Sequence, residues 1–326
     1  MTDARRLSGN RFLVIGRAGM DFYAEPPGTP LEDAGMFRAA LGGSSANIAA
    51  ALVRQGASAS LVTCVSDDAV GLFARNELDR YGIDRRHVRV VGGEARNSLA
   101  VVDTNGDKTK AVIYRNHAAD FQMDRRDVEA VDYTAFDALV TTGTVLAAEP
   151  SRDAAFRAFE LARAAGQTVV FDLDYRPYSW PSDQEAREVY AKASEASDIV
   201  IGNDVEFGVL AGAAEDGLDA ARALTASGKT VVYKMGHEGA VTLHGDGETR
   251  TGIYKTDALK PTGAGDAFMG GFLAALAGGH DLRTAVQRGS ASAAIVVARV
   301  GCAPACPTTE ELDAFLATHE GPTEPS

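Results

Sequence analysis

Short β-branched runs alternate with alanine-rich stretches along most of the chain, and this rhythm restricts the fold more than any single motif does. "RFLVIG" (Arg11 to Gly16), "SASLVTCV", "DALVTTG", "QTVVFDLD", "SDIVIG" and "KTVVYKMG" read as strands. "SSANIAAALVRQG" (Ser44 to Gly56), "AVGLFARNELDRYG" and "SRDAAFRAFELARAAG" read as helices ended by Gly56, Gly82 and Gly166; Ser151 is the expected N-cap of the last. Strands separated by helices pair in parallel through right-handed crossovers, so both faces of the sheet are covered. The expected fold class is α/β, a three-layer α/β/α sandwich around a mostly parallel sheet.

Two stretches break the rhythm. One is Asp21 to Leu41. The other, "RNSLAVVDTNGDKTKAVIYRN" (Arg96 to Asn116), holds two alternating runs around Asn105-Gly106, a hairpin signal. Together they predict a small β-sheet lid, formed by about 20–41 and 96–118, lying over the main sheet. Sites in open α/β sheets lie beyond the carboxyl ends of the strands. Residues just after the strand runs are therefore the first candidates.

The chain has 326 residues, 45% of them hydrophobic, enough for one large α/β unit. Its net charge of −13 repels phosphate-rich surfaces, so neither nucleic acid nor membrane is an expected partner. Anionic substrates would need basic groups placed locally. The least polar run, Ala264 to Gly279, contains Asp266 and is too short to span a bilayer. The polar N-terminus has no apolar signal-peptide core, and the three cysteines (Cys64, Cys302 and Cys306) suit a reducing compartment, so the expected location is cytoplasmic. Cys302 and Cys306 have no nearby His or third Cys to complete a metal site.

"KPTGAGDAFMGGF" (Lys260 to Phe272) carries the chemistry. It is not a dinucleotide loop, because Phe268 stands where the third glycine belongs. Nor is "GKT" at Gly228 to Thr230 a P-loop, because Ala223 replaces its first glycine. "TGAGDAF" does lead into a helix whose first backbone N–H groups, those of Gly263, Ala264, Gly265 and Asp266, would be free to bind an anion. Asp266 then reads either as an ordinary acid of a helix's first turn or as a general base beside a phosphate cradle.

"GGSSAN" and "TGAGDAF", about 220 residues apart with the β excursion between them, together resemble the ribokinase-like (PfkB) family of sugar kinases. Finer segments, "DYRPYSW" (Asp174 to Trp180) above all, resemble its 5-dehydro-2-deoxygluconokinase branch of myo-inositol catabolism. The resemblance implies a single kinase domain over 11–320, flexible tails at 1–10 and 319–326, ATP and Mg²⁺ as cofactors, a sugar-acid substrate and a homodimer paired through the lid. It implies Asp266 as catalytic base and Gly263, Ala264 and Gly265 as anion hole. Asp21, Gly42, Gly43 and Asn47 match the sugar-binding positions. Tyr114, Arg115 and Arg176 match acid-sugar contacts, where a guanidinium can grip a carboxylate, although either arginine could instead form a surface ion pair. Asn203 and Glu206 match a motif that orders Mg²⁺, mainly through water, and also read as a helix capping box. Lys234, Gly236, Gly239 and Ser290 match the ATP side. Lys260 departs from the pattern: many relatives hold an acid there that helps bind a monovalent cation, so potassium activation is not expected. Ser66, where relatives often have glycine, is a second departure. A 2-keto-3-deoxygluconate kinase and a non-catalytic sugar or nucleotide sensor remain the rival readings.

Overall fold

A computed structural model describes residues 7, 9–245 and 247–322. Residues 1–6 and 323–326, where most of the two expected tails fall, lie outside the described residues; Leu7 is buried in the core.

The first half runs β1 (Arg11–Ile15), β2 (Gly19–Glu25), β3 (Met36–Gly42), α1 (Ser44–Arg54), β4 (Ser58–Ser66), α2 (Ala69–Tyr81), β5 (Val88–Val91), β6 (Leu99–Val102), β7 (Ala111–Tyr114), α3 (Arg125–Glu129), β8 (Ala138–Thr142) and α4 (Ser151–Ala164). The second half runs β9 (Thr168–Asp172), α5 (Asp183–Ala196), β10 (Ile199–Asn203), α6 (Asp204–Ala211), α7 (Gly217–Ala226), β11 (Thr230–Lys234), β12 (Ala240–His244), β13 (Gly247–Thr251), α8 (Ala264–Ala277), α9 (Leu282–Val297) and α10 (Thr309–Thr318).

Nine strands form the main sheet in the order β13-β12-β11-β10-β9-β8-β1-β4-β5. All neighbours from β11 to β5 are parallel; β12 and β13 add an antiparallel edge that the rhythm of the sequence did not disclose. The central strands are mostly apolar, with their polar residues toward the ends, because both faces are covered. Leu13 and Ile15 face one core with Leu139, Phe171 and helices α4 and α5. Phe12 and Val14 face the other with Val140, Val170 and helices α1 and α8. That is the expected three-layer α/β/α arrangement.

The two rhythm-breaking stretches form one four-stranded sheet, β3-β2-β6-β7. The expected hairpin is β6–β7, joined by residues 103–110 rather than by a two-residue turn at Asn105-Gly106. Strand alternation gives this sheet two distinct faces. Asp21, Tyr23, Ala100 and Ile113 share the inner face; Tyr23 and Ala100 are buried there with Cys302. Phe22, Phe37, Val101, Val112 and Tyr114 share the outer one.

One cap differs from expectation. Ser151 is the first residue of α4, preceded by Pro150 at the N-cap, and its hydroxyl donates to the carbonyls of Val145 and Ala148. It secures the preceding loop and caps no helix N–H. At the other end, Gly166 (φ 75°) follows the C-cap Ala165. Among the described residues, no helix is long and apolar enough to cross a membrane.

Candidate active site

The N-terminus of α8 meets the carboxyl ends of β9–β11 and the inner face of the small sheet. Gly263 caps α8 with φ 84°, a conformation that favours glycine, and a side chain here would begin 2.7 Å from the Cys302 sulfur. Among the described residues, the backbone N–H groups of Gly263, Gly265 and Asp266 have no acceptor; that of Ala264, expected to be free as well, makes a long bond of 3.4 Å to the Pro261 carbonyl. The Lys234 ammonium lies 3.6 Å from the position a Gly265 side chain would take. Free N–H groups, the positive end of a helix and an adjacent ammonium are features that would attract an anion, and they make this a candidate anion site.

Asp266 is the third residue of α8, and its Oδ2 accepts a 2.9 Å bond from Nδ2 of Asn47 in the first turns of α1. The Asn47 Oδ1 is buried and has no partner. Burial, then the charge of Asp174, pushes the Asp266 carboxyl up to about 6. Asp21 is also buried and pushed up to about 6, chiefly by loss of solvent, while the Tyr23 hydroxyl donates to its Oδ2 at 3.3 Å. Gly42 leaves room for that carboxylate: a side chain there would begin 1.9 Å from Asp21 Oδ1. Gly43, at φ 94°, leaves room for the Arg17 carbonyl at 2.5 Å.

Both expected arginines reach the site, each with its own carboxylate. Arg115 is buried; its Nε and Nη2 donate to Asp120 and its Nη1 to the Thr144 carbonyl at 2.8 Å, with the guanidinium 4.0 Å from the centre of the Phe121 ring. It is an ion pair, as the alternative reading allowed, but an interior one. Arg176 pairs with Asp174 at 2.7 Å, and the charges of Asp174, Glu206 and Asp266 raise its pKa. Asp174 is held at φ 38°, unusual for a non-glycine residue, with its second oxygen buried and unpartnered, a concentration of strain typical of functional sites. Tyr114 is not brought in. It is 58% exposed and on the opposite face of the small sheet from Asp21. Sequence reasoning missed Arg17, just past β1 and buried, whose one signal was its place between a strand end and Asp21.

On the other side of the anion site, Asn203 and Glu206 form a reciprocal capping box on α6. Glu206 also accepts from the Tyr175 backbone N–H, so both its oxygens are engaged. Burial raises Glu206 and its neighbour Asp172, and the Lys234 charge opposes this in both. Gly236 and Gly239 turn the chain between β11 and β12; a side chain on Gly239 would begin 2.0 Å from the Thr251 carbonyl. Ser290 lies half-buried on α9. Beneath the anion site, Lys260 is fully buried, and its Nζ donates to the carbonyls of Thr262 (2.5 Å) and Val296 (3.4 Å).

Residues 10–309 match the model of the pfkB family of carbohydrate kinases. The chain belongs to that family. The kinase is 38% identical over 314 residues to the 5-dehydro-2-deoxygluconokinase of Photobacterium profundum, covering 94% of this chain and 95% of the relative. Among solved structures it resembles the aminoimidazole riboside kinase of Salmonella enterica, complexed with aminoimidazole riboside and an ATP analogue (TM-score 0.80, 25% identity, 95% of this chain and 100% of the other). It also resembles the fructokinase of Vibrio cholerae O395, solved with fructose and ADP, once as a double mutant with potassium and once with calcium (TM-score 0.84, 25% identity, 95% and 99%). The kinase is thus a sugar phosphotransferase of the ribokinase-like fold, and its "TGAGDAF" loop opens α8 beside the carboxyl ends of the strands.

Proposed function

We propose that this kinase transfers the γ-phosphoryl group of ATP to the terminal C6 hydroxyl of 5-dehydro-2-deoxy-D-gluconate, giving the 6-phosphate and ADP within myo-inositol degradation in the cytoplasm. The observation that carries the catalytic part is the pairing of Asp266, oriented by Asn47, with unpaired N–H groups at the head of the same helix. The hydroxyl oxygen forms a bond to the γ-phosphorus, the bond to the bridging oxygen breaks, and the hydroxyl proton passes to Asp266. The N–H groups of Gly263 and Gly265 and the Lys234 ammonium face the developing charge. The substrate assignment draws on the name of the Photobacterium relative and on the basic groups here: Arg17 near Asp21 and Asp266, Arg176 near Asp266, and Arg115 near Arg17.

Mg²⁺ would neutralise phosphate charge here. Asn203 and Glu206 suit contact through ordered water, since both Glu206 oxygens already accept backbone N–H bonds. Among the described residues no three His, Cys, Asp or Glu side chains converge to hold an ion by themselves, which fits a metal carried in with nucleotide phosphates. Residues 11–320 are read as one kinase domain in which the four-stranded sheet closes over the sugar as a lid.

A coupled ADP-release assay tests the substrate. The expected order is 5-dehydro-2-deoxygluconate first, then 2-keto-3-deoxygluconate, with fructose, ribose and nucleosides poor. Preference for a neutral sugar removes the sugar-acid assignment; equal use of both acids leaves only the broader one.

The pH profile supplies a second check. Asp266 must be ionised to accept the proton, and its carboxyl is raised to about 6. Activity should therefore fall as pH drops through about 6 and level off above it. Asp21, also at about 6, steepens the acid limb beyond one proton if its charged form is needed to hold the sugar. An acid limb centred near 4, the ordinary carboxylate range, would count against Asp266 as base.

The outer face of the lid supports a homodimer. Phe37, Val112 and Tyr114 are 40%, 45% and 58% exposed on one sheet face. Such an apolar face is a typical interface between copies. Val112→Asp should convert a dimer to a monomer in light scattering, whereas a wild-type monomer at micromolar concentration would end the dimer proposal.

A further inference from the structure

Three arginines surround the sugar side of the site, and their charges are not balanced alike. Arg115 has Asp120, and Arg176 has Asp174. Arg17 has no carboxylate within 4 Å among the described residues, although only 8% of its surface is exposed. Its Nε is buried without any hydrogen-bond partner. Burying a guanidinium with no carboxylate in hydrogen-bond contact is costly, and a ligand that supplies one would offset that cost.

The backbone holds Arg17 in place. Its carbonyl accepts from the Ala46 N–H at 3.1 Å, in the first turn of α1, and Gly43 is kept free of a side chain by that same carbonyl. From there the guanidinium lies within electrostatic range of Asp21, Asp266, Arg115 and Tyr178. In the proposed reaction Asp21 holds the sugar and Asp266 faces its acceptor hydroxyl, which puts the guanidinium on the sugar side of that reading. Lys234 serves the opposite, phosphate side, beside Gly265 and Glu206.

We infer that Arg17 is the residue that binds the carboxylate of the sugar-acid substrate, its buried and otherwise unpaired guanidinium being completed by that anion. Arg115 and Arg176, already neutralised by Asp120 and Asp174, shape the pocket and contribute their remaining N–H groups as neutral-pair donors. This rests on the sugar-acid reading above.

The test compares the acid with its primary carboxamide, which keeps the shape and loses the charge, in the wild type and in Arg17→Met. Wild-type kcat/KM should favour the acid by roughly 10- to 150-fold, the range of a charge-assisted hydrogen bond. Arg17→Met should lose most of that preference, and Arg17→Lys, which keeps charge without the planar fork, should retain part of it. The Met variant should melt no lower than the wild type, because an unpaired buried charge has been removed.

A wild type that does not distinguish acid from amide overturns the sugar-acid reading itself. A wild type that does, with Arg17→Met keeping the full preference, overturns only the role of Arg17 and moves the contact to Arg115 or Arg176. A rise in the KM for ATP equal with both sugars overturns it as well, placing Arg17 on phosphate. If Arg17→Met melts well below the wild type, the guanidinium has a structural partner and the inference fails.

Discussion

Asp266→Asn is expected to lower kcat by about 10²- to 10⁴-fold, the range that general-base catalysis supplies, while ATP binding stays within a few-fold. The amide retains an oxygen that can accept the Asn47 bond, so the local geometry is kept. What is lost is the ability to accept the hydroxyl proton. The fold should not suffer. Asp266 is raised to about 6, so its charged form is disfavoured in the folded state, and a neutral replacement removes that strain at neutral pH. Turnover by ADP release, ATP affinity by calorimetry and a melting curve check the three statements. Unchanged turnover removes Asp266 as base; lost ATP binding would mean that it positions the nucleotide.

Lys260→Met should lower kcat by about 10²-fold, the scale of damage to an oxyanion-type site. The ammonium is fully buried and donates to the Thr262 carbonyl, one residue before Gly263, and to the Val296 carbonyl on α9. A thioether donates to neither. The Val296 carbonyl keeps the Arg299 N–H at 3.1 Å, but the Thr262 carbonyl is orphaned, at a cost of about 1–3 kcal/mol. The loop would relax by turning that carbonyl, and the N–H groups proposed to face the phosphate would turn with it. The same geometry makes Lys260 a built-in cation under the loop. Exchanging potassium for choline should therefore change wild-type turnover by less than about twofold. A tenfold loss in choline would show that an external monovalent ion is still required, as a potassium-bound fructokinase relative invites one to ask. Wild-type kcat in Lys260→Met would end the positioning role.

Much of this molecule is legible in the order of its residues because the signals are local. Strands buried on both faces carry near-continuous apolar runs, so β1, β8, β9, β10 and β11 stand out. Helix ends at Gly56 and Gly82 stand out because only glycine enters the left-handed region cheaply. The capping box at Asn203 and Glu206 is likewise a matter of three-residue spacing. The parts not legible depend on long-range partners. Nothing near Arg115 reveals whether its guanidinium meets Asp120 or a substrate; the Thr144 carbonyl that completes its bonding lies 29 residues away. The face of the small sheet that Tyr114 occupies follows from pairing with Leu99 and then Met20, a register absent from the sequence. Ser151 looks like a cap, but the preceding loop claims its hydroxyl. Arg17 went unseen because an unpaired charge is a property of its surroundings.

The glycines of "MGGF" have a meaning beyond close packing. A side chain on Gly270 would begin 2.3 Å from the Ala51 Cβ, one helical turn beyond the contact between Asp266 and Asn47. Residues 47 and 51 of α1 thus match 266 and 270 of α8 in the same direction, so the two helices run side by side with their heads together. Two positive macrodipole ends then point at one spot, in a chain whose net charge is −13. The small residue at 270 sets the spacing between these two dipoles, so a purely steric position fixes how much attraction a phosphate feels more than a helical turn away.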